Sequence, residues 1–276
     1  MNKVALVTGS NGGFGTALVE ELLRQGYYVV ATMRNLANQA AIQALARTLG
    51  KANAVHCMKL DVTDTADVHR LAEWLEQKGG VVDLLINNAG YCQGGIVEKL
   101  TEDEWKAQYD VNLFGVITVT KVLLPLLRGS EKARIVNISS VSGLLGLPAM
   151  SPYSSSKFAL EGLSESLRLE LLPFDISVSL IEPASYKTKI WDKGLANVQI
   201  AHGEYQEFLD KVYAEAVQSF QGGSDPQEIQ QVIRRIIRSR KPKMRYQLGR
   251  DAIFLYWAKR LLPWSVIEWV VKRKLL

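Results

Sequence analysis

Val4-Ala5-Leu6-Val7-Thr8-Gly9-Ser10-Asn11-Gly12-Gly13-Phe14-Gly15 is the stretch on which the reading of the chain turns. Four aliphatic residues make a short run suited to a fully buried strand, and the glycines that follow break it at once. From Gly15 to Gln25 the spacing becomes helical, so the chain leaves a strand through a tight turn and enters a helix directly. The alternation recurs. Strand-like runs at Val4–Thr8, Tyr28–Thr32, Ala54–Leu60, Leu84–Asn87, Arg134–Ser139 and Ser177–Ile181 alternate with helical segments at Gly15–Gln25, Ala37–Leu49, Ala66–Gln77, Glu102–Leu127 and Ser154–Leu172. Strands joined by helices of this length predict an α/β fold with a parallel sheet covered on both faces. Pro125 and Pro173 are expected to close helices. The region from Ala184 to Gly223 is less regular, and helical segments follow it. The expectation is one domain over residues 1–250, with a C-terminal amphipathic extension over 251–276.

Composition narrows the class. The chain has 276 residues, 47% hydrophobic and 22% charged, enough apolar material for a sizeable core. No run reaches the roughly 18 uninterrupted apolar residues of a membrane span. The N-terminus lacks the apolar segment of a secretory leader. Cys57 and Cys92 are the two cysteines, so no disulfide framework is implied and a cytoplasmic setting is expected. Net charge is +5, unevenly spread: from Asp225 onward 13 Lys/Arg face 4 Asp/Glu, leaving −4 for the first 224 residues. These charges are scattered along amphipathic segments, which favours a solvated face over nucleic-acid binding.

The glycine turn carries chemistry. Glycines there let the backbone come close to a pyrophosphate, while the helix behind them offers free N–H groups and the positive end of its dipole. No Gly-Lys-Ser/Thr follows, which excludes a P-loop. A second signal lies at the end of the second strand. An acid there would accept from adenosine ribose hydroxyls, whereas a basic residue would pair with a 2′-phosphate. The sequence has Ala31-Thr32-Met33-Arg34, with no acid in that stretch. Arg34 can give a phosphate a forked contact, so NADP(H) is preferred over NAD(H), unless Arg34 merely lies on the surface.

Three further clusters follow in order: Asn87-Asn88-Ala89-Gly90 at the fourth strand's end, Ser139-Ser140 at the fifth's, and Tyr153-Ser154-Ser155-Ser156-Lys157 at the next helix start. Asn112 lies inside the long fourth helix. Tyr153 and Lys157, four apart, share a helix face. A phenol of ordinary pKa is a poor base, but a nearby ammonium favours its phenolate, and the tyrosine can then exchange a proton with a substrate oxygen. A serine hydroxyl can polarise the same oxygen. By itself Tyr-x-x-x-Lys is common on solvated helices; its order among the other clusters gives it weight.

With these residues the sequence resembles the short-chain dehydrogenase/reductase family, in its single-domain soluble branch, strongly over residues 1–190. The resemblance rests on Thr8-Gly9, Gly13, Gly15, Asp61-Val62, Asn87-Asn88-Ala89-Gly90, Asn112, Ser140, Tyr153 and Lys157. It implies a Rossmann-type doubly wound parallel sheet and a hydride exchange between a carbonyl or alcohol carbon and a nicotinamide. It implies that Tyr153 is the general acid/base, that Lys157 tunes it and binds the nicotinamide ribose, that Asn112 holds a relay water, and that Ser140 orients the substrate oxygen. Ser140 is chosen over Ser139 because it lies 13 residues before Tyr153. Gly9, Ser10, Asn11, Gly13, Phe14 and Gly15 would cradle the cofactor. Asp61 and Val62 would meet its adenine, Asn88, Ala89 and Gly90 its ribose side, and Pro183 and Thr188 its carboxamide end. Pro183-Ala184 stands where the family has Pro-Gly, which leaves the local backbone path open. The run from Tyr153 to Gly162, with Arg168-Leu169-Glu170-Leu171, is similar to the hydroxysteroid and retinol dehydrogenase-like branch, implying an apolar ketone, aldehyde or alcohol substrate. A homodimer or homotetramer is implied through the long fourth and fifth helices. The rival reading is a catalytically silent nucleotide-binding regulator or scaffold.

His56, His69 and His202 are dispersed, so no metal site is expected. Cys92 reads as a packing residue rather than a nucleophile. The segment Trp191–Gly223, with Tyr205, Phe208, Leu209, Tyr213 and Phe220, lies where the family keeps a substrate lid, and lid and plain packing stand level. The tail carries Phe254, Trp257, Trp264 and Trp269 interleaved with Lys259, Arg260, Lys272, Arg273 and Lys274. Packing or cover of the cleft is the first reading there, subunit contact the second and a membrane surface the third.

Overall fold

The structure, a computed structural model, describes residues 3–188, 190 and 203–276. Seven parallel strands make one sheet in the order β3-β2-β1-β4-β5-β6-β7. They are β1 Val4–Val7, β2 Tyr28–Met33, β3 Val55–Lys59, β4 Leu84–Asn87, β5 Arg134–Ile138, β6 Ser177–Pro183 and β7 Arg245–Leu248. The first six are the expected ones. β7 is the addition: it pairs with β6 at the sheet edge, Leu180 opposite Arg245 through Pro183 opposite Leu248. Only Leu248 of its four residues is buried, so no apolar alternation marked it.

Helices α1 Gly13–Arg24, α2 Ala40–Thr48, α3 Thr65–Gln77, α4 Glu102–Tyr109, α5 Gly115–Arg128 and α6 Ser151–Glu170 connect the strands. The period-2 rule sorts the strand residues between two cores. Ala5, Val7, Val29, Ala31, Leu84 and Ile86 face α1, α2 and a later helix, α8 Ile229–Arg238. Leu6, Val30 and Leu85 face α3 and α5 on the other side. Burial on both sides is why these strands read as continuous apolar runs.

Two expectations about helices change. The long fourth helix is interrupted at Asp110–Phe114 by a π-helical turn that contains the buried Asn112. Such turns often lie at functional positions. Pro125 does not close α5, which runs on to Arg128; the proline is exposed near the last turn, where water can take the freed carbonyl. Glu102–Arg128 is the one described helical stretch long and apolar enough to cross a bilayer, but here Val119, Leu123, Leu126 and Leu127 belong to the core.

Beyond β6, α7 Gln206–Gln221 carries Leu209 into a small cluster with Ala149, Ile96, Val212 and Tyr213. Trp191, also assigned to a lid, lies outside the described residues. The chain ends in α9 Arg250–Leu261 and α10 Trp264–Leu275. Packing reaches only part of this tail: Ala252 and Leu275 are buried, Lys211 Nζ donates to the Leu276 carbonyl at 3.0 Å, and Lys274 pairs with Glu215 at 2.9 Å. Its other large apolar side chains mostly face solvent.

Candidate active site

The strand order reverses direction between β1 and β4, and a doubly wound sheet opens its ligand crevice at such a switch. The glycine turn leaves β1 there, beside Asn88-Ala89-Gly90 leaving β4. Asn88 clamps the two together: its Nδ2 donates to the carbonyls of Thr8 and Gly9, each at 2.9 Å. The Thr8 hydroxyl accepts from the backbone N–H of Asn88 and of Ala89, also at 2.9 Å. Thr8, which entered the sequence motif only as the residue before Gly9, is thus itself part of the frame. Gly9 has φ +63°, and a Cβ on it would lie 2.9 Å from the Ala89 Cα. A Cβ on Gly15 would lie 2.4 Å from the Gly9 carbonyl oxygen.

This cradle suits a dinucleotide. Helix α1 starts at Gly13 with no side-chain cap and no acid in its first turn, so its leading N–H groups and dipole remain for phosphates. Asn11, Gly12 and Gly13 are exposed. Ser10 differs from its neighbours: it is buried and its hydroxyl donates to the Val7 carbonyl at 2.8 Å, so its side chain builds the turn from within. Phe14 packs on Tyr186 with ring centroids 5.2 Å apart, and Thr188 lies over Gly13, its Cγ2 2.9 Å from where a Cβ would be. Pro183 ends β6, and the Ala184 N–H donates to the Leu248 carbonyl at 3.1 Å, so β7 fixes the path that the missing glycine left open. Arg34 stands exposed just past β2, and no carboxylate among the described residues pairs with it. Asp61 accepts from Thr63, and Val62 packs on Gly115 at the start of α5.

Ser140, Tyr153, Lys157 and Asn112 are all buried. Pro152 in the first turn of α6 starts the helix that aligns Tyr153 with Lys157, whose Nζ lies 5.7 Å from the phenol ring centroid. Lys157 Nζ donates to the Ile138 carbonyl at 2.8 Å, which ties it to the end of β5. Asn112 Nδ2 donates to the Tyr91 carbonyl at 3.0 Å and to Ser156 Oγ at 3.3 Å, while its Oδ1 accepts from the Tyr91 N–H at 3.1 Å. Gly90 is the common neighbour: a Cβ there would lie 3.1 Å from Asn112 Oδ1 and 4.0 Å from Lys157 Nζ. Ser156, passed over as one serine in a run of three, joins the Asn112 end to α6.

Burial dominates the electrostatics. It pushes the Tyr153 phenol well above its ordinary value, helped by Cys92 and opposed by a hydrogen bond with Ser140. It pulls the Lys157 ammonium down to about 8, against Glu161 and Cys92, which favour the charge. The Cys92 thiol is pushed up to about 12 by burial, which leaves it a packing residue beside the site and not a nucleophile. Behind Lys157, Arg245 of β7 reaches Glu161 at 2.9 Å, Glu165 at 2.7 Å and Glu182 at 3.0 Å. Burial and the neighbouring Glu161 raise Glu182 to about 7. This group was not legible in sequence, because its carboxylates lie on α6 and β6 and its one cation on an unrecognised β7.

The short chain dehydrogenase family profile matches residues 3–198. The chain belongs to that family. An uncharacterized oxidoreductase of Bacillus subtilis, YusZ, is 39% identical over 277 residues, covering 99% of this chain and 98% of the relative. Human retinol dehydrogenase 8 is 35% identical over 256 residues, covering 89% of this chain and 81% of the relative. A short chain dehydrogenase/reductase from Burkholderia phymatum, solved in complex with NAD, superposes with a TM-score of 0.80 at 28% identity, covering 97% of this chain and 94% of that one. This short chain dehydrogenase is accordingly an oxidoreductase of alcohol or carbonyl groups that uses a nicotinamide cofactor.

Proposed function

We propose that the protein interconverts a ketone or aldehyde and an alcohol on an apolar substrate, preferring NADP(H), by a Tyr153-Lys157-Ser140-Asn112 machinery. The convergence of these four buried polar side chains beside the clamped glycine turn carries the reading. A bound nicotinamide supplies the hydride for reduction or accepts it in oxidation. In the reductive direction Tyr153 gives its proton to the carbonyl oxygen as the carbon is reduced, and Ser140 donates a second hydrogen bond to that oxygen. A phenol kept protonated by burial suits this donor role. Lys157 holds positive charge beside Tyr153 and would border the ribose of a bound cofactor, and Asn112 fixes the Tyr91 backbone next to it. Gly9, Ser10, Asn11, Gly13, Phe14 and Gly15 would hold the pyrophosphate, Asp61 and Val62 the adenine, Asn88, Ala89 and Gly90 the ribose, and Pro183 and Thr188 the carboxamide end.

Arg34, exposed and without a carboxylate partner among the described residues, stands where an acid would exclude a 2′-phosphate and supports NADP(H). The likeness to retinol dehydrogenase 8 supports an apolar substrate. The test is NADPH and NADH oxidation with a panel of ketones, aldehydes and retinoids. Tyr153→Phe should lose turnover by 10²-fold or more; undiminished turnover would sink the mechanism. Arg34→Ala should narrow the NADPH preference; an unchanged ratio of kcat/KM values would refute the cofactor assignment.

Residues 1–250 are proposed as the catalytic domain, with 251–276 as its extension, in a cytoplasmic protein. A homodimer or homotetramer is proposed through α5 and α6, supported by exposed Phe114, Phe158, Leu169 and Leu172 on and beside them. A monomeric mass by light scattering would refute it.

A further inference from the structure

Ten of the seventeen exposed large apolar side chains among the described residues lie between Ile253 and Leu276. They are ordered by helical spacing. Phe254, Trp257 and Leu261 are three and four apart on α9 and are 69%, 52% and 72% exposed; Val266, Trp269 and Val270 repeat the pattern on α10. Scattered apolar residues are normal on any surface, but an exposed stripe on each of two successive helices marks a surface that meets something.

Charge identifies the partner. Residues 250–276 hold six Lys/Arg against two Asp/Glu, whereas the first 224 residues sum to −4. The cations sit against the aromatic rings of the tail: Lys259 Nζ is 4.5 Å from the Trp264 ring centroid, Arg260 4.3 Å from that of Tyr256, and Arg273 5.4 Å from that of Trp269. A second copy docked on this face would bring the same cations against themselves. Anionic lipid headgroups neutralise them, with Trp and Tyr at headgroup depth and the aliphatic residues below.

We infer that α9 and α10 form a docking surface for an anionic bilayer. Its position gives it a use. Through Leu275 and the Lys211 and Lys274 contacts, α10 rests on α7, and α7 packs Leu209 onto Ala149, four residues before Tyr153. The docked face therefore adjoins the helix that packs just ahead of the Tyr153 end of α6. Substrate entry from the lipid rests on the apolar-substrate reading; the docking itself does not.

The experiment is co-sedimentation of the full chain at low salt with vesicles of phosphatidylcholine alone and with phosphatidylglycerol added. Binding is expected to the mixed vesicles and to fall steeply with salt. Each neutralised cation should weaken partition about fivefold, so Lys259→Gln/Lys272→Gln/Arg273→Gln should weaken it about a hundredfold. Trp257→Ser/Trp269→Ser should abolish binding as well. All five side chains are exposed, and unchanged nicotinamide-cofactor binding by the variants verifies their fold. No binding to mixed vesicles, or equal binding by the charge variant, overturns the inference. So does a halved mass by light scattering in the double tryptophan variant of a protein that ignores vesicles, which makes the occupant a second copy. Failure of every ketone and retinoid as substrate, with vesicle binding intact, would overturn the substrate reading alone.

Discussion

Replacing Gly15 by alanine tests how tightly the glycine turn is built. The new Cβ would stand 2.4 Å from the Gly9 carbonyl oxygen and 2.7 Å from the Ser10 Cα, where ordinary contact begins at 3.4 Å. Relief requires the turn to move by about 1 Å, the difference between those two distances. The Gly9 oxygen also accepts from Asn88 Nδ2 and from the Gly12 N–H, so movement weakens both bonds. Overpacking costs about 1–3 kcal/mol and the two hydrogen bonds about 1 kcal/mol each, so Gly15→Ala should destabilise by about 3–5 kcal/mol. Gly12→Ala is the internal control: φ there is −83° and the nearest atom to a Cβ is 3.5 Å away. That substitution should stay within about 0.5 kcal/mol of wild type. In a domain of this size the difference is roughly 6–20 °C in Tm. Thermal unfolding followed by circular dichroism measures it, and nicotinamide fluorescence titration should show a parallel loss of cofactor affinity in Gly15→Ala. If the two variants melt within 2–3 °C of each other, an interval worth about 1 kcal/mol, the close approach does not hold the turn and the reasoning fails.

Asn88→Ala removes the two Asn88 side-chain bonds to the turn and leaves the Thr8 pair; it should cost about 1–3 kcal/mol in urea denaturation, and an unmoved midpoint would show the Asn88 clamp to be idle. Lys157 titrates at about 8 when folded against 10.5 ordinarily, so between those values the unfolded chain binds more protons. Stability should therefore climb with pH across that window, by up to about 1.4 kcal/mol per unit. Cys92, raised from 9.0 to about 12, pulls the other way above pH 9. The difference curve against Lys157→Met isolates the lysine, and a flat difference refutes its burial as an ammonium. Glu21 is fully buried; burial pushes its pKa up, but hydrogen bonds from Arg234 and Gln25 outweigh that and hold it down. Arg234→Ala should lower Tm at neutral pH, with the deficit shrinking as the pH falls through the carboxylate range; a deficit independent of pH would point to lost packing instead.

How far the sequence could be read follows from where its signals come from. Six strands buried on both faces appear as unbroken aliphatic runs, and the switch between β1 and β4 follows from the glycine turn once the strands are counted. Of the four proposed catalytic residues, Ser140, Tyr153 and Lys157 were legible because each sits at or near an element end with a distinctive neighbour, whereas Asn112, inside a helix that reads as unbroken, was named through the family resemblance. Contacts between elements left no local trace. Thr8 acts on residues 80 and 81 positions away, and Asn112 meets Ser156 at a separation of 44. β7 was missed because an edge strand reading Arg-Tyr-Gln-Leu carries no pattern, and the partners of Arg245 vanished with it. The π turn was also hidden, since the sequence around Asn112 keeps a helical look while the backbone adds a residue.

Arg245 has a bearing on how the chain assembles. As the polypeptide emerges from the ribosome, β6 and α6 are complete some 60 residues before β7 exists. Until then β6 presents a bare ladder of amides and carbonyls, the kind of rim that recruits stray strands. Glu161 and Glu182 meanwhile have no guanidinium to face. The ion-pair lock between α6, β6 and β7 is therefore a long-range event, made by a segment synthesised well after its partners. A chain cut short of Arg245 would hold all four proposed catalytic residues and still lack the buckle between α6 and the sheet edge behind them, which makes it a natural client for chaperones.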